Sequence, residues 1–446
     1  MMRRAGWVLI AVVSATVACG SRSGLDRDAY RDPPSGGGSA EGGAGGGDGS
    51  GGGQGGSGGD ALSGCNLVAD GPFVAVAGGP EVNQSRPRLT YTNAARDEVT
   101  MALGWRPSAA PGAPSELRHV TFRGSDPVWP RLPLGPVFLA DFEGGRDFAL
   151  APSGGPSGRF SLAYATGSPV ADSVGLQDEL TPGLGATLPV FDIGRPGSPQ
   201  GLVRGPGLGL LTTTERRTQG QVFVHTLLDS DTNPTNIVDQ FVLGCGRGSG
   251  GGGATTLPAD VALNPGDEGA PVRVLFASAP LEVCGSPDLP PPTQLYAVDL
   301  PTEASVRLDV GVALRAVRLL EAGARDVFAI IDAAGAVTVG RLTDQAILDP
   351  TVLDERAAPE GGLDLAVFAD GRIAVAYRAA GTPSVAITVL EPDSGGATTT
   401  EIRADATDPR LLPTATGDAL IVALTAISPV PVDPSRVLVG RFACAP

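Results

Sequence analysis

The sixteen residues Val327–Leu342, VFAIIDAAGAVTVGRL, decide the fold. Two apolar runs of strand length flank Ala334-Gly335, and the pattern reads as a β-hairpin turning on that small pair. The first run is almost continuously apolar, which suits a strand buried on both faces.

That first run recurs along the chain. Seven segments share it: Val99–Trp105 (VTMALGW), Phe160–Thr166 (FSLAYAT), Leu208–Thr214 (LGLLTTT), Val272–Ser278 (VRVLFAS), Val327–Ala333 (VFAIIDA), Ile373–Ala379 (IAVAYRA) and Leu420–Ala426 (LIVALTA). Positions one, three and four are apolar in all seven, and position five is apolar or aromatic in all but one, the exception being Thr212. A second short run ending in Leu or Phe follows each: Leu117–Phe122, Gly175–Leu180, Val222–Leu227, Leu295–Leu300, Val337–Leu342, Val385–Leu390 and Val437–Phe442. Further strand candidates stand upstream, as in Pro87–Tyr91 and Pro409–Leu412, and downstream, as in Leu188–Ile193, Ile237–Leu243 and Val306–Val310. Each repeat is therefore a four-stranded meander. In the second, Val137–Phe142 and Asp147–Ala151 compete for the first strand.

The first runs start 61, 48, 64, 55, 46 and 47 residues apart, a spacing that matches β-propeller blades. Helical solenoids are excluded by the lack of 3.6-residue patterning with caps, and a row of sandwiches would need about 100 residues per domain. The expected fold is all-β, a seven-bladed propeller. Blade seven is one strand short, because the chain stops at Ala443-Cys444-Ala445-Pro446. Phe73–Val76, just past the linker, is the candidate that closes the ring beside Val437–Phe442, removing a sheet edge that invites aggregation. Antiparallel pairing there brings Cys65 to Cys444, and a disulfide is predicted between them. Cys245 and Cys284 fall in loops on one face of blade four and form a second predicted pair.

The remaining cysteine, Cys19, belongs to a different part of the molecule. Arg3 and Arg4 precede the mostly apolar stretch Ala5–Ala18, which reads as an export signal and, at 14 residues, is too short to span a bilayer. It ends on Thr16-Val17-Ala18-Cys19, which resembles the lipobox of bacterial lipoproteins, with Thr16 where Leu is usual. The resemblance implies a lipid on Cys19, and Gly20 in the next position implies the outer membrane. From Ser35 to Gly59 sixteen of twenty-five residues are Gly, so this stretch cannot bury enough apolar surface to fold. It reads as a disordered tether with a reach of about 35–40 Å. The chain thus divides into a signal segment at 1–18, a lipidated Cys with its Gly-rich linker at 19–64, and the propeller at 65–446.

Across 446 residues the net charge is −16, and all 32 basic residues are Arg. Nucleic acid is excluded as a partner, since phosphate binding needs positive charge. Chemistry is sparsely supplied. The two histidines are His119, expected to pack in its strand, and His225, expected to face solvent. No zinc-protease, Walker or nucleophile-elbow motif is present. Asp229–Asn236 opens like a calcium loop but has Pro234 at the sixth position and Gln240 at the twelfth, so no metal or other cofactor is expected. The Asp-box of hydrolytic propellers is missing; Ser125–Trp129 has the wrong spacing. The run Gly248–Gly253 lacks the following helix of a phosphate cradle. Propeller ligands gather at the channel mouth, where this reading places Arg88, Asp260, Arg315, Asp364 and Arg410.

Lipobox-like segment, linker and repeats together resemble the lipid-anchored, exported β-propeller proteins of high-GC Gram-negative bacteria. Members of that group share no single activity, and fold does not imply function. The expectation is a non-catalytic binding or scaffold propeller on the outer membrane, on either face, held there only by its lipid and recognising a protein or polysaccharide. The alternative is a carbohydrate-active hydrolase or lyase using Asp and Arg at the channel mouth.

Overall fold

The computed structural model describes residues 65–445 with breaks, the longest being 108–114, 127–136, 181–190, 248–256 and 264–271. The export segment, Cys19, the Gly-rich linker, Trp129 and Gly248–Gly253 lie outside the described residues.

Every described element but one single-turn 3-10 helix, Leu281–Val283, is a β-strand. Two short strands come first, β1 (Leu67–Ala69) and β2 (Val74–Ala75). Unit one holds β3 (Val82–Tyr91), β4 (Glu98–Pro107), β5 (Ser115–Arg123) and β6 (Val137–Phe142). Unit two holds β7 (Phe148–Pro152), β8 (Phe160–Ser168), β9 (Ala171–Leu180) and β10 (Phe191–Asp192). Unit three holds β11 (Ser198–Gly205), β12 (Leu208–Thr214), β13 (Gln219–Ser230) and β14 (Asn233–Arg247). Unit four holds β15 (Ala259–Leu263), β16 (Val272–Ser278), β17 (Gln294–Leu300) and β18 (Ala304–Asp309). Unit five holds β19 (Leu314–Ala322), β20 (Arg325–Asp332), β21 (Ala336–Leu342) and β22 (Ile347–Arg356). Unit six holds β23 (Leu363–Val367), β24 (Ile373–Arg378), β25 (Val385–Leu390) and β26 (Ala397–Arg403). Unit seven supplies only β27 (Ala406–Pro413), β28 (Ala419–Ala426) and β29 (Arg436–Cys444) before the chain ends.

All pairings are antiparallel, and units three to six are separate four-stranded meanders. Units one and two run together through one residue pair, Phe142 opposite Thr166. Both candidates for the disputed strand are used. Val137–Phe142 pairs with β5 as the last strand of unit one, and Phe148–Pro152 pairs with β8 as the first of unit two. The Val327–Leu342 hairpin turns as its small pair requires: Gly335 has φ +82°, and a Cβ there would collide with the Ala357 carbonyl. Asp332 holds the turn, its Oδ1 accepting the amides of Ala334 at 2.8 Å and Ala336 at 2.9 Å.

Side chains alternate across each middle strand and pack against both neighbouring sheets. In β28, Leu420, Val422 and Leu424 join Val385 and Ile387 of unit six, while Ile421 and Ala423 join Met101 and Val120 of unit one. Comparable apolar layers join units one and two, three and four, four and five, and five and six. A strand sandwiched this way must be apolar throughout, which is why β24 and β25 are buried along nearly their whole length. The outermost β26 has one wet face and reads ATTTEIR with alternating exposure.

Unit seven takes its extra pairing from the N-terminus. Leu67 lies opposite Cys444 and Ala69 opposite Phe442, while Val74 lies opposite Val439. The pairing segment starts earlier than Phe73 and is split. Gly71, at φ +107°, and Pro72, which has no N–H, turn the chain out of the ladder before it returns. The Cys65–Cys444 disulfide pins the outer end, with Cα atoms 5.0 Å apart. The second disulfide joins Cys245 to Cys284. Cys245 belongs to the last turns of the ladder in β14 rather than to a loop, and Ser278 Oγ donates to its carbonyl at 3.0 Å. Cys284 closes the 3-10 turn after β16, so this bridge ties unit three to unit four. Two disulfides are the chemistry of an oxidising, exported environment. Among the described residues, no helix is long and apolar enough to cross a membrane.

Candidate binding site on the first strands

The first strands of successive units pack on one another: β3 on β7, then β11, β15, β19, β23, β27, and β27 back on β3. Register identifies one equivalent position on each. Arg88, Ala149, Asp260, Asp364 and Arg410 each lie opposite the fourth residue of the following apolar run: Ala102, Ala163, Leu275, Ala376 and Ala423. Gly201 and Arg318 lie one step off, opposite Thr212 and Ala329, and both of their strands carry a bulge. The position therefore reads Arg, Ala, Gly, Asp, Arg, Asp, Arg around the seven units.

Arg88 and Arg410 reach this belt by the same device. Each follows a proline inside a bulge, and the residue before that proline is left-handed: Arg86 at φ 53° and Asp408 at φ 51°. Such backbone is disfavoured for a non-glycine residue, and doubly so before proline, so the surroundings must hold it. The Asp408 amide donates to Gly361 O at 3.0 Å and the Arg86 amide to Thr425 Oγ1 at 3.2 Å. Strain of this kind concentrates where a side chain has to be aimed.

The two acids latch consecutive units. Asp260 Oδ2 accepts the Leu319 amide at 3.0 Å and its Oδ1 the Val261 amide at 2.9 Å. Asp364 Oδ2 accepts the Leu411 amide at 2.7 Å. In both, an Asp on one first strand receives the N–H that follows the Arg of the next. Arg318 lies between the acids, 3.8 Å from Asp260 and 3.5 Å from Asp364, and its Nε donates to Leu363 O at 2.9 Å. Arg410 Nη1 donates to the same carbonyl at 3.0 Å. Arg88 Nε donates to Phe148 O at 3.2 Å.

Burial sets the electrostatics. It pushes the Asp260 carboxyl up, against the pull of Arg318 and two backbone amides. Burial also pushes the Arg410 guanidinium well down, with Arg88 and Arg318 repelling it and Asp364 and Asp408 opposing that. Arg410 is only 6% exposed, and its Nε has no hydrogen-bond partner.

Four of the five residues expected at the channel mouth, Arg88, Asp260, Asp364 and Arg410, thus stand at the equivalent position. Arg315 does not: it is exposed beside the bulge between Leu314 and Ala316, and Arg318 takes the place. The sequence carried a signal for this, since the three belt arginines share an Arg-Leu pair, at 88–89, 318–319 and 410–411. A second buried ion group also escaped the sequence reading. Arg273 on β16 grips Asp299 through Nε at 2.6 Å and Nη2 at 2.8 Å, and reaches Asp326 of unit five at 2.9 Å. His119 is buried in β5 with its ring 6.1 Å from that of Phe160. The calcium-like stretch joins β13 to β14 as a hairpin with Ser230 opposite Asn233, and residues 231–232 lie outside the described residues. Among the described residues, no group of three or more His, Cys, Asp or Glu could hold a metal ion.

No protein-family model matches the chain, and no curated protein sequence does. Solved structures do. A protein of unknown function from Dyadobacter fermentans aligns with TM-score 0.50 at 12% identity, covering 86% of this chain and 100% of its own. A protein of Bacteroides fragilis provisionally assigned as a 6-phosphogluconolactonase aligns with TM-score 0.50 at 13% identity, covering 75% and 92%. At such identities the likeness shows the fold alone, and that fold is propeller-like.

Proposed function

We propose that the chain is a seven-bladed β-propeller, closed by its N-terminal strand and anchored through a lipid on Cys19 to the outer membrane, that acts as a non-catalytic binding module. The first-strand belt is then the wall of the central channel, and its charged positions are the ligand contacts. The observation that carries the reading is the use of the acids. Both Asp260 and Asp364 are committed as acceptors of backbone amides from the next unit, which makes them parts of the frame. A general acid or nucleophile needs instead to be presented to a substrate.

A glycan and polysaccharide screen on the full chain, read for both binding and turnover, tests this. Saturable binding without product is the expected result. Product formation abolished by Asp260→Ala or Asp364→Ala would establish the alternative, a carbohydrate-active enzyme. One observation favours that alternative, since Asp260 and Asp364 both lie against Arg318 and burial pushes the Asp260 carboxyl up, as a general acid requires. For the anchor, metabolic labelling with a fatty-acid analogue is expected to mark the protein and to be lost in Cys19→Ser; an unlabelled product in the medium would contradict it.

A further inference from the structure

Among the described residues, four that are not glycine hold left-handed backbone: Arg86, Arg96, Asp405 and Asp408. Two of them, Arg86 and Asp408, precede proline, and of that pair only Asp408 carries a carboxylate. A left-handed residue before proline is disfavoured twice over, by its own Cβ and by the ring that follows, so the Asp408–Pro409 link is strained in its resting state. A nucleophile and a strained peptide bond thus belong to one residue.

The fold holds that link from both sides. Upstream, Ala406 and Thr407 pair with Ala426 and Thr425, while the Asp408 amide at 3.0 Å and Thr407 Oγ1 at 3.1 Å both donate to Gly361 O. Downstream, residues 410–413 pair with residues 420–423, and the Leu411 amide donates to Asp364 at 2.7 Å. Asp408 and Pro409 lie in the bulge between these anchors, outside the ladder. Gly362 makes room for them, since a Cβ there would stand 3.0 Å from Asp408 Cα. Residue 408 cannot relax without giving up one of these pairings.

We propose that the chain cuts itself between Asp408 and Pro409. A carboxylate oxygen of Asp408 adds to the carbonyl carbon of the same residue and closes a succinic-type cyclic anhydride. The C–N bond to Pro409 breaks, its electron pair stays on the proline nitrogen, and that nitrogen takes a proton from water. The hydroxide so formed opens the anhydride to two carboxyl groups, and one water is consumed overall. A carboxylate held against a carbonyl is an effective nucleophile because no encounter has to be arranged. The new α-carboxylate forms in the field of Arg410, whose buried Nε has no acceptor. Both new ends stay anchored in the sheet, and fragment 409–446 remains joined to the rest through Cys65–Cys444. The product is a nicked ring, not a released peptide.

The sequence supplies the comparison, because Asp32–Pro33, Asp126–Pro127, Asp349–Pro350 and Asp433–Pro434 carry the same pair of residues. The folded, oxidised full chain is incubated with protease inhibitors and followed by intact-mass spectrometry and by gels run with and without reductant. One band without reductant and two with it are expected, the fragment masses adding up to the intact mass plus one water. The link at Asp408 should break about tenfold or more faster than Asp349–Pro350, the factor that about 1.4 kcal/mol of released strain provides. In guanidinium chloride that advantage should vanish. Asp408→Asn, which keeps the shape and removes the carboxylate, should leave the link whole; the comparison among links in the natural chain decides the matter even if this variant fails to fold. A cut no faster than at Asp349–Pro350, a cut retained in Asp408→Asn, or a rate that rises with protein concentration, the mark of a foreign protease, overturns the proposal.

Discussion

Tyr91, at the end of β3, shows what one side chain contributes between units. Its hydroxyl donates to the Pro413 carbonyl on β27, joining unit one to unit seven. Burial pushes its phenol up to about 12, with Arg96 pulling the other way. A folded-state value above the usual 10 means that the stabilisation is complete below pH 10 and is lost as the pH rises through about 12. Tyr91→Phe should therefore remove part of the alkaline destabilisation. Denaturant midpoints at about pH 9 and about pH 11 would show a smaller difference in the variant. An equal difference in both chains would mean that the phenol is not protected by the fold.

Among elements, the latches matter most, and they are where reading the sequence reached its limit. The middle strands were legible because a strand packed on both faces has to be apolar along its length, and the seven runs follow that demand. The closing segment was legible as a need, unit seven lacking a strand, but its course was not. Gly71 and Pro72 interrupt the ladder, so the apolar run Phe73–Val76 marks where pairing resumes and not where it begins. Arg315 looked like the belt residue of unit five because the bulge between Leu314 and Ala316, which shifts the register, leaves no mark in the apolar pattern. The Arg273 group was invisible for another reason: its partners, Asp299 and Asp326, are 26 and 53 residues away on different strands. Arg273→Met would take the cation they share away from two buried carboxylates in units four and five. The expected cost is about 3–5 kcal/mol in chemical denaturation, because a buried ion group that loses its cation keeps uncompensated charge. A loss below about 1 kcal/mol would mean that water compensates the acids.

For the molecule as a whole, the meeting of the last unit with the first matters most. Ile421 and Ala423 of β28 in the last unit pack against Met101 and Val120 of the first, an apolar layer like those between the other units. The Cys65–Cys444 bridge spans 379 residues, so it restrains almost the entire described chain. Replacing both cysteines by serine should cost about 2–5 kcal/mol, read from denaturation of the oxidised proteins. Peptide mapping without reductant should recover Cys65 joined to Cys444, and a Cys65 peptide joined to Cys245 or Cys284 would contradict the closed arrangement. The first strands that carry Arg410 and Arg88, β27 and β3, also pack on one another.

The most direct test of that picture is a crystal structure of the full chain. Seven sheets around one axis are predicted, with β29 paired to the N-terminal strand and Cys65 joined to Cys444. A ring with another number of sheets, or an open arrangement in which β29 lacks the N-terminal strand, would contradict it.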